Sequence, residues 1–543
     1  MRQLFTGGRV FTAVRGSLWA EALVVDGAHI AFVGDGAAAA RFAGADAALI
    51  DLDGGVVVPG FVDAHAHVVG TGATLAKAQL RDAASLDAIL GELRAWVAAN
   101  PDEPRVLGVS WVYDAVPGGR PTRQMLDTAF PDLPVYLEAN DFHSTWVNTA
   151  ALREMGITSD TPDPVGGEVV RDPITREATG WLLETAANAY VYPVTDRTDD
   201  RTLDGHLAAA MAAYTASGVT TAVDMGLSAP MLAALHRAEL TGTSTIRVIG
   251  HWLVHRTGDL DQELAHVTEA VELAQRHQSD MLRVAGIKIV VDGTIDGCTA
   301  ALSLPYSDGT MADPIWDPAS LTAVVTAADA AGLQVALHAI GDHAVHIALD
   351  ALEHAARVNG TSGRRHRIEH LEYAEAADIA RLGPLGVTAS MQPVHLDPAI
   401  MPNWVAMLGT ERAHHGFAWP EYITHGATLA FGTDTPTAPH QPLPNMYLAA
   451  TRRSPGHPHL PPHRPDWARP LDEAVVHATA DAAWASFADT GLGTLQAGML
   501  ADLAVLDRDP FAAGPDSLLD TTVTRTLLGG RTVHPTWTRS PVR

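Results

Sequence analysis

Between residues 61 and 480 of this 543-residue chain, short apolar stretches alternate with longer helical stretches. This alternation is typical of βα units, whose strands run parallel in one sheet. The first predicted strand lies within residues 57–70, and the others lie at residues 218–226, 246–255, 285–294, 333–342, 366–374, 386–396 and 428–436. Eight such units predict an α/β fold, a (β/α)8 TIM barrel. Two helices have clear end signals: one is predicted to end at Gly218, and another to run from Ser320 to Gly332.

Three other regions depart from this pattern. Residues 1–60 read as short strands with tight turns, and strands are predicted again within residues 481–543. Because chain termini often lie close together, both ends are expected to build one small β-sandwich domain. Residues 100–200 are rich in proline and glycine, which predicts an inserted subdomain after the first barrel strand. Insertions at that face of a barrel usually shape the substrate pocket.

The composition limits the kinds of partner. A formal net charge of -27 argues against nucleic acid and anionic membranes, since both require basic patches. Cys298 is the only cysteine, which excludes an intramolecular disulfide. Neither a signal peptide nor a run of about 18 apolar residues is evident. The sequence therefore predicts a cytoplasmic protein that acts on a small molecule.

The first predicted strand ends in a candidate metal site. His65 and His67 alternate along it, so both imidazoles are expected on one face, where they could share an ion. A pair of packed histidines would look the same in the sequence.

Polar residues also mark the carboxyl ends of four later strands. They are Lys288, His338, His370 and Asp434. Individually these residues could be packed histidines, an ion-paired lysine and a loop-capping aspartate, but catalytic residues of a barrel belong at this edge. Lys77 and Lys288 are the only lysines, so a lysine inside an apolar strand needs a specific reason.

Five sequence motifs resemble the amidohydrolase superfamily and, within it, the YtcJ-like (amidohydrolase 3) group. They are PGFVDAHAH, GIKIVVDGTIDG, LHAIGDHAV, RIEHLEY and GTDTP, and DFHSTWVNTAALREMGI in the insertion is similar too. The resemblance covers nearly the whole chain. It implies a metal-dependent hydrolase similar to N-substituted formamide deformylases, and it favours a homodimer.

The resemblance also implies a site with two divalent metal ions. Zinc is the first expectation, with manganese, iron and cobalt as alternatives, and a one-metal variant stays open. His65, His67 and Asp434 would hold one ion, and His338 and His370 the other. Lys288 would carry a carbamate between them, which arginine cannot form because it offers no free amine. Asp434 would be the catalytic residue that moves protons while a metal-activated hydroxide attacks a carbonyl.

Further candidates are expected to bind substrate. His143 could bond the substrate carbonyl, Trp111 and Tyr113 could form an apolar wall, and Asp292 could support Lys288. A loop histidine, core aromatics and a loop cap are the respective alternatives. Phe142 stands where the group often has glycine, which predicts a different pocket shape beside His143.

The predicted function is hydrolysis of a C–N bond other than a peptide bond, in an amide, N-acyl or N-formyl group of a small organic substrate. Cyclic amides, carbamates and esters are alternative substrates of the same site. A metal-binding or ligand-binding protein without turnover is a second alternative.

Overall fold

A parallel barrel forms the centre of the computed structural model, which describes residues 2–164, 166–195 and 199–535. Its strands are β1 Phe61–Ala66, β2 Val219–Leu227, β3 Arg247–Leu253, β4 Leu282–Val290, β5 Gln334–Ala339, β6 Arg367–His370, β7 Thr388–Met391 and β8 Leu429–Phe431. Neighbours in the chain are neighbours in the sheet, and a bridge between Ala66 and Thr435 brings the last unit back to the first. The predicted TIM-like barrel is confirmed, because each predicted segment overlaps one barrel strand, although the first also includes part of the terminal-sheet strand Val56–Pro59.

Helices follow the strands around the outside of the barrel. They are Val68–Leu75, Asp200–Ala216, Ala229–Thr241, Leu260–Arg276, Pro318–Ala330, Asp342–Asn359, Ala376–Leu385, Met401–Leu408, Thr410–His414, Trp419–Thr424, Pro442–Thr451, Leu471–His477 and Ala480–Ala485. The helix predicted from Ser320 begins earlier, at Pro318, because Asp317 is its cap and accepts the Ser320 N–H. Proline suits the first helical position, since its missing N–H would have no helical partner there.

Most residues of the barrel strands are buried. All six residues of β1, FVDAHA, and all six of β5, QVALHA, are buried. Strands of a parallel barrel are covered by side chains inside and by helices outside, so apolar residues prevail on both faces. The buried histidines and carboxylates near their carboxyl ends are therefore exceptions that need a reason.

Two further sheets combine strands from the ends of the chain. One contains Arg9–Phe11, Trp19–Ala20, Val56–Pro59, Leu503–Leu506, Val523–Leu528 and Arg531–His534, and the other contains Gln3–Thr6, Ala22–Asp26, His29–Gly34 and Ala48–Asp51. Phe5 and Leu23 of the second sheet share an apolar core with Val57 and Leu503 of the first. A short helix, Gly36–Ala43, lies between two of these strands in the sequence. The domain boundaries at residues 60 and 480 stay predictions.

Gly60 joins the terminal sheet to the barrel. It lies between the strand Val56–Pro59 and β1, and its N–H donates to the Asp502 carbonyl at 3.0 Å. A Cβ atom at this position would lie 2.2 Å from Oγ1 of Thr220. Only glycine permits so close an approach of β1 to β2.

The inserted segment has its own mixed sheet. The strands are Ala78–Gln79, Val106–Trp111, Val135–Ala139, Ser144–Val147, Gly167–Arg171 and Ala178–Glu184, with helices at Leu86–Ala99, Arg123–Asp127 and Thr149–Met155. This sheet begins before residue 100, where the insertion was predicted to start. The helix Leu86–Ala99 has an apolar face like that of a barrel helix, so the sequence does not distinguish the two. Within the described residues, no helix has the length and apolar character needed to cross a membrane.

Candidate active site

A cavity of about 740 Å³ opens at the carboxyl end of the barrel. Its wall includes the six predicted metal ligands together with Phe142 and His143 from the insertion. Strand ends and an inserted loop thus meet at one place, as in other enzymes with this fold.

The predicted histidines and Asp434 form one cluster. Oδ1 of Asp434 lies 3.1 Å from Nε2 of His65 and 3.2 Å from Nε2 of His67. The ring centroid of His370 is 4.9 Å from that of His65 and 4.4 Å from that of His338. β1 ends at Ala66, so His67 lies just beyond the strand and precedes the helix Val68–Leu75. It nevertheless reaches the same carboxylate as His65.

Lys288 lies against this cluster from β4. Its Nζ is 3.4 Å from Nε2 of His65, and the side chain is buried. Burial lowers the Lys288 pKa, and the carboxylates of Glu369 and Asp434 only partly oppose that effect. The amine is therefore biased toward its neutral form.

Charges are unevenly distributed over the cluster. Burial alone would raise the Asp434 pKa, but His65, His67 and His370 outweigh it and hold that pKa well below its usual range. Burial also lowers the pKa values of His338 and His370 well below the ordinary value. The Asp434 carboxylate is therefore biased toward its ionised form, and the His338 and His370 rings toward the neutral form with a free lone pair.

Glu369 is a functional residue that the sequence interpretation missed. Its Oε2 lies 2.6 Å from Nδ1 of His65, and Arg367 donates to both of its carboxylate oxygens. The motif RIEHLEY contains all of these β6 residues, but strand alternation would place Glu369 and His370 on opposite faces. His370 has φ +78°, which breaks the alternation and brings both side chains toward the site.

His143 lies on the insertion side of the cavity. Its Nδ1 is 2.7 Å from Oε2 of Glu184, and its ring centroid is 5.6 Å from that of His338. Burial lowers the His143 pKa, but the Glu184 carboxylate outweighs it and raises that pKa to about 9. Phe142 has φ +59°, a left-handed conformation that favours glycine. This conformation explains why glycine suits the position before the histidine.

Three predicted substrate-binding residues do not line the cavity. Trp111 is buried in the core of the insertion and donates to the Leu137 carbonyl at 3.1 Å. Tyr113 is buried there too, with its hydroxyl 2.9 Å from Oγ of Ser144. Asp292 accepts the N–H groups of Ala301, Ile340 and Gly341 at 2.9–3.0 Å. Its observed contacts match the loop-capping alternative.

A second acidic and imidazole group adjoins the cluster and was also missed. Nδ1 of His395 lies 2.9 Å from Oε1 of Glu372, and its Nε2 is 3.2 Å from Oγ1 of Thr437. The His395 ring is parallel to that of His370 with centroids 5.8 Å apart, and its Nε2 is 3.7 Å from Oδ2 of Asp434. The sequence signal was a histidine near the end of the predicted strand 386–396, but β7 ends at Met391 and His395 lies in the turn Pro393–Leu396 that follows it.

The class of protein follows from a comparison with known families. The model of the amidohydrolase family matches residues 48–534, so this chain belongs to that family. The resemblance found in the sequence motifs is confirmed, and the chain is a hydrolase of the amidohydrolase superfamily.

Individual relatives match over nearly the full chain. LONG AFTER FAR-RED 3 of Arabidopsis thaliana is 30% identical, over 98% of this chain and 91% of its own. YtcJ of Bacillus subtilis (strain 168) is 29% identical, over 98% and 99% of the two chains. An N-substituted formamide deformylase of Arthrobacter pascens is 28% identical, over 94% of each.

Two solved structures share the architecture. An uncharacterised metal-dependent hydrolase from Pyrococcus horikoshii OT3 has a TM-score of 0.73 and 26% identity, over 95% of this chain and 99% of its own. A second one, from Pyrococcus furiosus, has a TM-score of 0.71 and 26% identity, over 94% and 100%.

Proposed function

We propose that this protein is a metal-dependent hydrolase that cleaves a C–N bond other than a peptide bond, in an amide, N-acyl or N-formyl group of a small organic molecule. The proposal rests on one observation: Asp434 Oδ1 lies 3.1 Å from His65 Nε2 and 3.2 Å from His67 Nε2. Imidazole nitrogens around a carboxylate form a donor set that suits divalent metals. The formamide deformylase relative and the metal-dependent structural neighbours support the bond type and the metal requirement.

The residues of the cluster fit such ions. Nδ1 of His65 is occupied by Glu369, so Nε2 is directed to Asp434 and keeps its lone pair for a metal. Nδ1 of His370 is buried and has no hydrogen-bond partner among the described residues. Buried nitrogens rarely stay unsatisfied, which favours a bound ligand. We assign two divalent ions, with zinc as the first candidate, to His65, His67, Lys288, His338, His370 and Asp434.

Such ions, when bound, polarise a carbonyl group and lower the pKa of water to about 7. The Asp434 carboxylate accepts a proton from the attacking water and returns it to the leaving amine. His143, held in its protonated form by Glu184, donates a hydrogen bond to the oxygen of the substrate carbonyl.

Lys288 is proposed to carry a carbamate. Its neutral amine adds to CO2, forming an N–C bond and releasing one proton, and the product is an anion with two oxygen ligands. The lowering of the Lys288 pKa by burial supports this reaction, because only the neutral amine is nucleophilic. The homodimer and the cytoplasmic location stay predictions from the sequence.

The function is tested by metal analysis and a substrate panel. We expect the purified protein to hold about two divalent ions per chain and to hydrolyse formamides or N-acyl compounds in preference to hydantoins, carbamates and esters. Chelation should abolish turnover, and zinc, manganese, iron or cobalt should restore it. Efficient hydrolysis of esters alone, or full activity after complete removal of metal, would refute the proposal.

The role of Asp434 is tested with Asp434→Asn. Loss of the proton acceptor should lower kcat by about 10²- to 10⁴-fold, the usual range for general acid–base groups, while metal content stays near that of the wild type. Asp296→Asn is the matched control, since Asp296 lies in the same cavity wall and accepts its hydrogen bond from Asn403 at 2.7 Å. A near-normal kcat in Asp434→Asn would remove this residue from the mechanism.

A further inference from the structure

The cavity wall contains one arginine, Arg81, whose charge has no direct partner among the described residues. Lys77 Nζ lies 2.6 Å from Oε2 of Glu138, and Arg105 binds the carboxylate of Glu154 with two nitrogens at 2.7–3.1 Å. Arg81 lines the same cavity, yet no carboxylate of the described residues lies within 4.0 Å of its guanidinium. Two of these three cations are neutralised by the protein, whereas Arg81 is not.

Arg81 is attached to the loop that carries Asp434. Its Nη2 donates to the backbone carbonyl of Thr437, and Oγ1 of Thr437 donates to the backbone carbonyl of Asp434 at 2.6 Å. This is the one hydrogen bond that Arg81 makes within the described residues. An arginine has five N–H donors in a planar fork, so most of the fork is available to a ligand.

The surroundings of Arg81 make its charge costly without a ligand. The side chain is partly buried, and desolvation lowers the Arg81 pKa, while the Asp397 and Asp82 carboxylates oppose that effect from a distance. Asp397 accepts the N–H of Ala399 at 2.9 Å and also lines the cavity. A cation in such a place is stabilised by an anion that binds directly.

We propose that Arg81 is the anion-binding subsite of the cavity and that the substrate carries a carboxylate beside its scissile amide. This inference rests on the proposed function, and it narrows the substrate class to N-acyl or N-formyl carboxylates. Arginine forms paired hydrogen bonds with a carboxylate, which would hold the substrate in register with Asp434. Neutral formamides would lack this contact.

The competing explanation is that Arg81 only supports the loop, through Thr437 and a longer-range attraction to Asp397. The two explanations differ in how a change at Arg81 depends on substrate charge. Loop support affects all substrates alike, whereas an anion subsite affects carboxylates selectively.

The test compares an N-formyl amino acid with its primary amide, which differ in charge at one group. In the metal-loaded wild type, kcat/KM should be higher for the carboxylate, and Arg81→Gln should lower that value by about 10- to 100-fold, as expected for a lost charged hydrogen bond. The loss on the amide should be at least tenfold smaller. Arg81→Lys, which keeps the charge but not the fork, should recover part of the preference. Arg105→Gln is the matched control, and it should leave the ratio of the two substrates as in the wild type.

Equal hydrolysis of both substrates by the wild type, or equal losses in Arg81→Gln, would overturn the anion subsite. If the metal-loaded wild type hydrolyses no member of the wider panel, the proposed function fails instead. Calorimetric binding of the same two compounds then decides on the subsite alone. Tighter binding of the carboxylate that disappears in Arg81→Gln supports the subsite, and equal binding refutes it.

Discussion

Nδ1 of His65 lies 2.6 Å from Oε2 of Glu369, and both side chains are fully buried. Arg367 binds the same carboxylate and also donates to the Ala64 carbonyl at 2.6 Å, so β6 fixes both the ring and the backbone of β1 at this point. A fixed ring has a fixed tautomer, which leaves the other nitrogen for a metal.

Replacement of Glu369 should therefore weaken metal binding. In Glu369→Gln we expect metal affinity to fall by about 10- to 100-fold, the usual effect of removing an orienting partner of a ligand histidine. Competitive titration with a chelator measures this directly. Glu353→Gln, which removes an exposed carboxylate paired with Arg381, is the control and should bind metal like the wild type. Wild-type affinity in Glu369→Gln would contradict the orienting role.

Lys288→Ala should lose both turnover and metal. The methyl group offers no amine for CO2, so the proposed anionic bridge cannot form, and a short carboxylic acid such as acetate or propionate should restore part of the activity. Mass spectrometry of the native wild type should show the added mass of CO2, and metal analysis should show fewer ions in the variant. Two tightly held ions with full activity in Lys288→Ala, without added acid, would disprove the carbamate.

Asp296 should make stability depend on pH. Burial raises its pKa from 3.8 to about 7, so the folded protein binds this proton more tightly than the unfolded chain does. Its contribution to stability is therefore lost as pH rises from about 4 to 7, by at most about 4 kcal/mol.

Asp296→Asn removes this titration. The melting temperature of the variant minus that of the wild type should therefore be higher at pH 8 than at pH 5. The matched control is Asp308→Asn, because hydrogen bonds from Thr310 lower the Asp308 pKa and give no such gain. Parallel pH profiles of Asp296→Asn and the wild type would count against the raised pKa.

The terminal sheet is held to the barrel by a buried ion pair. Arg247 at the start of β3 binds Asp502 through Nε and Nη2, at 2.7 and 3.1 Å. Asp502→Asn leaves the buried guanidinium without its charged partner, which should lower the free energy of unfolding by about 3–5 kcal/mol. Asp26→Asn breaks the exposed pair with Arg2 and should cost about 0–1 kcal/mol. Thermal unfolding of both variants measures the two losses of stability. Similar losses would contradict a stabilising role of the buried pair.

The sequence was sufficient to predict the barrel, because the pattern of apolar and helical stretches that indicates it is local and repeated. Each strand is a short apolar run with helical stretches on either side, and glycines such as Gly218 mark helix ends. The insertion was harder to delimit, since the helix Leu86–Ala99 has the same amphipathic pattern as a barrel helix. Periodicity shows which face is buried but not the domain against which it packs.

Only part of the candidate site could be predicted from the sequence, for a related reason. His65, His338 and Asp434 follow apolar strands, and barrel strands bring their carboxyl ends together, so their meeting could be expected. Glu369, His395 and Arg81 could not be placed in this way. The first depends on the positive φ of His370, and the other two follow from the paths of loops after β7 and after the first barrel helix.

The sequence by itself indicated the family through its motifs, and it predicted the barrel and the six candidate ligands through polar residues at the ends of regularly spaced apolar strands. Only the tertiary structure decided that Trp111 and Tyr113 belong to a core, that Glu369 orients His65, and that Arg81 faces the cavity without a carboxylate partner among the described residues. Such relationships join residues tens or hundreds of positions apart. They are set by backbone turns and side-chain packing, for which a single sequence carries no periodic signal.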